Sequence, residues 1–158
     1  MKKVDLAYMA GFFDGEGCIF IYRKTDGNYQ FCCTVTQTIS WILELFKFNF
    51  GGSIHITGNK KRYKDMGWHV CWEWKIGDQK ALSFLKTILP YLVLKKGEAT
   101  VAVKFQTDKK PQGIRFKTPE EKDNARAVQE AQRLLIKNLK SQGKESWDEI
   151  SHSGVKAF

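Results

Sequence analysis

What this sequence lacks narrows its class before any motif is considered. No apolar run approaches the ~20 residues that cross a bilayer as a helix, which argues against a membrane-spanning segment. Cysteine is sparse: Cys18, Cys32, Cys33 and Cys71 include no C-x-x-C pair, and the three histidines are scattered, so a zinc site has no ligand spacing to rest on. Cys32 and Cys33 are neighbours that a strand would send to opposite faces. Reduced, semi-buried thiols in a cytosol-like compartment are the expectation. The basic and briefly apolar start "MKKVDLAYMAGFFDGEG" meets two acids at once and has no small-residue cleavage pattern, so no signal or transit peptide is expected. Acidic residues are also in short supply, with 17 Asp and Glu facing 26 Lys and Arg.

That imbalance leaves a net charge of +9 and points to a polyanionic partner, nucleic acid above all, with an anionic membrane surface as the other reading. At 158 residues, 42% hydrophobic and 27% charged, the chain is most simply one globular domain with a real core. Residues 1–143 are expected to form it, and residues 144–158, which show no periodicity, a tail.

Asp5 can cap a helix over the first apolar residues, after which "CIFIYRK", a turn at Asp26-Gly27 and "YQFCCTVTQ" read as a hairpin. Ser40 is expected to cap a second helix, "WILELFKFNF", stopped by Gly51-Gly52. A second hairpin pairs "SIHIT" with "WHVCWEWKI" across the basic loop "GNKKRYKDMG". Pro90 must kink or end the helix begun by "QKALSFLKTIL", "KGEATVAVKFQT" continues as helix, and Pro119 opens a C-terminal helix. This order predicts an α+β fold with one antiparallel sheet, covered by helices on one face and free on the other. The free face would carry Tyr22, Lys24, Gln30, Thr34, His55, Thr57, His69, Glu73 and Lys75. Paired strands of this kind fit the DNA major groove; an ordinary solvated face accounts for the pattern equally well.

The stretch "AYMAGFFDGEG" poses the sharpest question. Ala7, Gly11 and Gly15 fall at i, i+4 and i+8, a strip of small residues that lets a second helix approach closely. Asp14 and Glu16 then bring negative charge to the C-terminal end of the helix, where the dipole is already negative. A positive partner should compensate them.

"LAYMAGFFDGEG" resembles the signature of the LAGLIDADG homing endonucleases, with "MAGFFDGEG" matching position by position. The element order αββαββα plus C-terminal helices, "TVTQT" and "LPYLVLKKGEA" extend the resemblance over most of residues 6–99, while the C-terminal third matches only as helical and basic. The resemblance implies a site-specific, Mg²⁺-dependent endonuclease that cuts both strands of a long pseudo-palindromic DNA target. Mn²⁺ would substitute, Ca²⁺ would support binding without cleavage, and no organic cofactor or membrane is involved. One copy of the motif implies a homodimer joined through Ala7, Gly11, Asp14 and Gly15, with a twofold axis supplying the second motif helix. By the same resemblance Glu16 is the metal-binding acid, assisted by the Gly15 carbonyl. Gln37 positions the attacking water, and Lys95 stands near the cleaved phosphate, with Lys96 as its rival. Asp14 would orient backbone at the interface. Trp41 departs from the pattern, falling roughly where some members carry a further basic residue. Lys60, Lys61 and Arg62 in the loop, and Lys137 and Lys140 on the last helix, are expected on phosphates. The family also contains intron-RNA maturases and non-cutting regulators, whose sheet face and motif helices would look alike; Glu16, Gln37 and Lys95 together favour the nuclease, since a pure binder has no need for them. The implied compartment is intracellular, a bacterial cytoplasm or an organelle holding its own genome.

Overall fold

The computed structural model describes residues 2–58, 65–110 and 116–142. Helix α1 (Lys3–Glu16) runs directly into β1 (Gly17–Arg23), and β2 (Tyr29–Gln37), α2 (Ser40–Phe50), β3 (Ser53–Ile56) and β4 (Trp72–Gly77) follow. The chain continues through α3 (Asp78–Ile88), a 3-10 turn (Leu89–Tyr91), α4 (Lys96–Asp108) and α5 (Pro119–Gln142). The strands make one antiparallel sheet in the order β1-β2-β4-β3, so the fold is α+β.

Alternation along the strands sends Ile19, Ile21, Phe31, Cys33, Val35, Trp74 and Ile76 into the core. There an aromatic cluster joins the sheet to the helices. Phe84 of α3 meets Trp74 edge-on at 5.2 Å and Phe13 of α1 at 5.0 Å, while Phe46 of α2 lies 5.1 Å from Trp74. The Trp74 indole N–H donates to the Gly51 carbonyl at 2.7 Å, which satisfies its one polar atom inside the core. Two glycines make these junctions possible. A Cβ on Gly17 would stand 2.5 Å from the Phe13 carbonyl oxygen, so only glycine lets α1 pass into β1 without a loop. Gly52, at φ +89, would place a Cβ 2.5 Å from the Lys75 carbonyl oxygen.

Several boundaries differ from those expected. Ile39, not Ser40, is the N-cap of α2, and Asp5 acts from the third position of α1, where it accepts the Lys2 backbone N–H at 2.9 Å. Pro90 ends its helix, which stops at Ile88. The final strand begins at Trp72 instead of Trp68, because both of its ladders run out there: Trp72 pairs with Gln37 on one side and Ile56 on the other. Residues 68–71 have the alternation of a strand but lie beyond both ladders, with the Cys71 carbonyl still accepting the Thr57 N–H at 2.9 Å, and Trp68 and Val70 stay 52% and 39% exposed. Lys60, Lys61, Arg62 and the tail 144–158 lie outside the described residues. Among the described residues no helix is long and apolar enough to cross a membrane.

Candidate active site and nucleic-acid face

The two acids at the end of α1 meet different fates. Asp14 is 7% exposed, and its carboxylate accepts three consecutive backbone N–H groups: Val93 at 2.6 Å, Leu94 at 3.2 Å and Lys95 at 2.9 Å. These amides line the turn that leads into α4. Charge-assisted bonds of this kind hold a carboxylate firmly. The Lys95 ammonium in turn donates to the Asp14 backbone carbonyl, placing a cation on the last turn of α1, where the helix dipole favours one. Asp14 therefore orients backbone within its own chain, that of residues 93–95.

Glu16, one turn position beyond, is exposed and has no hydrogen bond or ion pair among the described residues. Of the last-turn carbonyls of α1, that of Phe13 accepts the Gly17 N–H and that of Asp14 the Lys95 ammonium, while that of Gly15 has no donor to expect from the helix itself. The Glu16 carboxylate and the Gly15 carbonyl are hard-oxygen donors of the kind that suits Mg²⁺ or Ca²⁺. Among the described residues no three His, Cys, Asp or Glu gather to hold a metal.

Gln37 ends β2 half-buried, its side-chain oxygen accepting the Thr38 N–H at 3.3 Å, and Trp41 at the start of α2 is 63% exposed. Behind Lys95 lies a group that the sequence did not announce. Glu98, its side chain 12% exposed, stands 3.8 Å from the Lys140 ammonium of α5, which also donates to the Cys18 thiol at 3.0 Å. Burial pushes the Glu98 carboxyl above its usual range, with Lys140 and then Lys95 opposing the shift. Lys140 was expected on phosphate. Its ammonium is instead turned inward, because the buried Glu98 needs a cation. Lys137, on the same helix, is exposed.

The outer face of the sheet is more closed than alternation suggests. Lys75 pairs with Thr34 in the ladder, and its side chain crosses the central strand to within 5.8 Å of the Phe20 ring and 5.7 Å of the Tyr22 ring. Thr34 and Cys32 are left 6% and 2% exposed, so Thr34 does not present itself on the surface. The Tyr22 hydroxyl donates to Gln30 Oε1 at 2.5 Å, and Gln30 Nε2 donates to Asp78 Oδ2 at 2.6 Å. Asp78, at φ +50, lies 3.8 Å from the Lys109 ammonium. Burial, then the neighbouring Cys32, raises the Tyr22 phenol above its usual range. His55 and Glu73 lie opposite each other in the ladder, with His55 Nε2 3.0 Å from the Glu73 carboxylate. Lys24 and His69 are exposed, and Thr57, half-buried, bonds to the Cys71 carbonyl. All four cysteines are free, and burial pushes the Cys32 and Cys33 thiols up, which keeps them protonated and inert.

No family model and no curated protein matches the chain. Solved structures do. The homing endonuclease I-CvuI, in complex with its target in the presence of 2 mM Ca, superposes with a TM-score of 0.62 at 23% identity, covering 87% of this chain and 91% of that one. The archaeal intron-encoded homing endonuclease I-Vdi141I, complexed with DNA, gives 0.52 at 14% identity over 89% and 99%. The LAGLIDADG meganuclease I-AabMI, bound to uncleaved DNA, gives 0.56 at 20% identity over 97% of this chain but 50% of that one, so this chain spans half of it. The elements that carry Glu16, Gln37 and Lys95 thus belong to an architecture shared with single-length and double-length DNA endonucleases: this chain has the LAGLIDADG homing endonuclease fold.

Proposed function

We propose that the protein is a Mg²⁺-dependent DNA endonuclease that works as a homodimer. The observation that carries this reading is Glu16, an acid without a partner, at the end of a helix whose outward strip of small residues is open. Ala7, Gly11 and Gly15 are exposed, and a Cβ at Gly11 or Gly15 would meet nothing within 4 Å. A second α1 laid along that strip brings a second Glu16 to the first and completes the oxygen donor set. Val4, Val93 and Leu94, all between 77% and 79% exposed, offer further apolar surface near both ends of the helix.

The residues would divide the work. Glu16 and the Gly15 carbonyl hold a divalent ion, which when bound stabilises the charge that builds up on the phosphate during attack. Gln37 orients water. Lys95, its backbone fixed by Asp14, offers positive charge beside the same phosphate. The net charge of +9 draws in the DNA, and the sheet face lies in the major groove.

The test begins with double-stranded DNA selected from a random library by binding in Ca²⁺. Incubated with that DNA and Mg²⁺, the protein should cut both strands, as read by gel electrophoresis, and Glu16→Gln should bind at least as well yet leave the DNA intact. Cleavage by Glu16→Gln at the wild-type rate would remove Glu16 from the site. Tight, specific binding without cleavage by the wild type would favour a non-cutting DNA-binding role.

A further inference from the structure

The hydrogen-bond chain from Asp78 to Tyr22 has a direction, and the direction carries information. A carboxylate can only accept, so the Gln30 amide must turn its NH₂ toward Asp78; the opposite flip would set oxygen against oxygen at 2.6 Å. Gln30 Oε1 is then committed to Tyr22 and takes the only proton of the phenol, at 2.5 Å. Tyr22 is left with lone pairs alone. Even with the Cys32 thiol directed at the oxygen, one lone pair remains.

We propose that Asp78, through Gln30, sets Tyr22 as a hydrogen-bond acceptor on the outer sheet face, so that Tyr22 selects an amino base, adenine or cytosine, over a keto base at the strand position beneath it. In the major groove adenine N6 and cytosine N4 donate, whereas guanine O6 and N7 and thymine O4 only accept. A keto base would face an oxygen with nothing to give. This inference rests on the sheet face meeting DNA. It goes further in assigning a specificity to one residue and its cause to another that need not touch the DNA. Asp78 itself occupies a left-handed backbone position, φ +50, which among ordinary residues Asp and Asn tolerate best.

The experiment is a binding selection from random double-stranded DNA in Ca²⁺, run on the full-length protein and three variants. Wild type should favour A or C over G or T, by about two- to tenfold for a single neutral hydrogen bond, at one position per half-site. Tyr22→Phe, which keeps the ring beneath Lys75, should erase that preference and leave the other positions alone. Asp78→Asn keeps the backbone geometry but lets the amide chain run either way, so the Tyr22 proton is free to face outward. The same position should then accept G or T. Gln30→Ala, which cuts the chain at its middle, should relax it likewise. A Tyr22-dependent position that favours G or T in the wild type overturns the proposal. So does an unchanged preference in both Asp78→Asn and Gln30→Ala, or a Tyr22→Phe profile equal to wild type. Failure of the wild type to enrich any sequence would overturn the DNA-reading function itself, and the inference with it.

Discussion

Asp14 shows how one side chain can join two distant parts of a chain. It accepts N–H groups from three successive residues 79 to 81 positions away, and it is nearly buried while doing so. Removing it strands these donors, at a cost of about 1–3 kcal/mol for each that water cannot reach. Asp14→Ala should therefore lower stability by about 3 kcal/mol, with Asp14→Asn, which has one accepting oxygen, falling between it and the wild type. Urea midpoints measure the difference. A loss below about 1 kcal/mol in Asp14→Ala would mean that the amides are solvated and the clamp is incidental. Neither the Asp14 partners nor the Gln30–Asp78 bond was legible in the sequence. The motif marks Asp14 and Glu16 as important, but a separation of 48 to 81 residues leaves no local trace of a side-chain contact. The sequence did place the pair in a position that calls for positive charge, and the structure answers for Asp14 with amides and the Lys95 ammonium, leaving only Glu16 to be compensated from outside.

Among the elements, α5 is held in an unusual way. Ile136 is its one fully buried residue among those described, so polar contacts make up much of its attachment. Lys140 reaches Glu98 and Cys18, Lys110 reaches Glu121 at 2.6 Å, and the Tyr29 hydroxyl of β2 bonds to Glu130, whose carboxylate is held in place within α5 by Arg133 through two bonds of 2.6 and 2.8 Å. Arg133, and then the Tyr29 hydroxyl of β2, hold the Glu130 carboxyl well below the usual carboxylate range, at about 2. A depressed carboxyl contributes its stability above its unfolded pKa and loses it as pH falls through the folded one. Glu130→Gln should thus lower the urea midpoint at pH 6, and the gap to wild type should close between about pH 4.5 and pH 2. Amide hydrogen exchange should quicken in α5 before it does in α1 or β2. A gap that is constant with pH would mean the carboxylate does not anchor the helix. Periodicity located α5 and the other helices well, since apolar spacing and Pro119 are local signals. It extended the final strand too far, because alternation reports a residue's own preference and says nothing of whether a partner strand is still alongside. It also left Thr34 on the surface, where only the reach of Lys75 from the next strand explains its burial.

For the molecule as a whole, the proposed assembly turns on the open strip on α1. Gly11 and Gly15 have no neighbour to accommodate among the described residues, so bulk there costs the fold little and the proposed dimer much. Gly11→Leu should leave the thermal midpoint of the monomer fold near wild type, convert a dimer of the 18.2 kDa chain to monomer by sedimentation at micromolar concentration, and abolish cleavage. Wild type that sediments as a monomer on its own and on DNA, yet cuts both strands, would overturn the shared-acid arrangement.

The grip of Asp14 on residues 93–95 has one more consequence. Asp14 and Glu16 belong to the same turn of α1, so a helix packed one residue out of register would aim Asp14 away from the amides while carrying Glu16 off its place. Misplacement of Glu16 is therefore coupled to three broken hydrogen bonds, and the clamp ties the register of α1 to the position of that acid. It also sets Glu16 and Lys95 relative to one another within a single chain. If the proposed dimer forms, joining two copies in one chain needs a linker that brings the α1 helices together and no redesign of the surroundings of either Glu16.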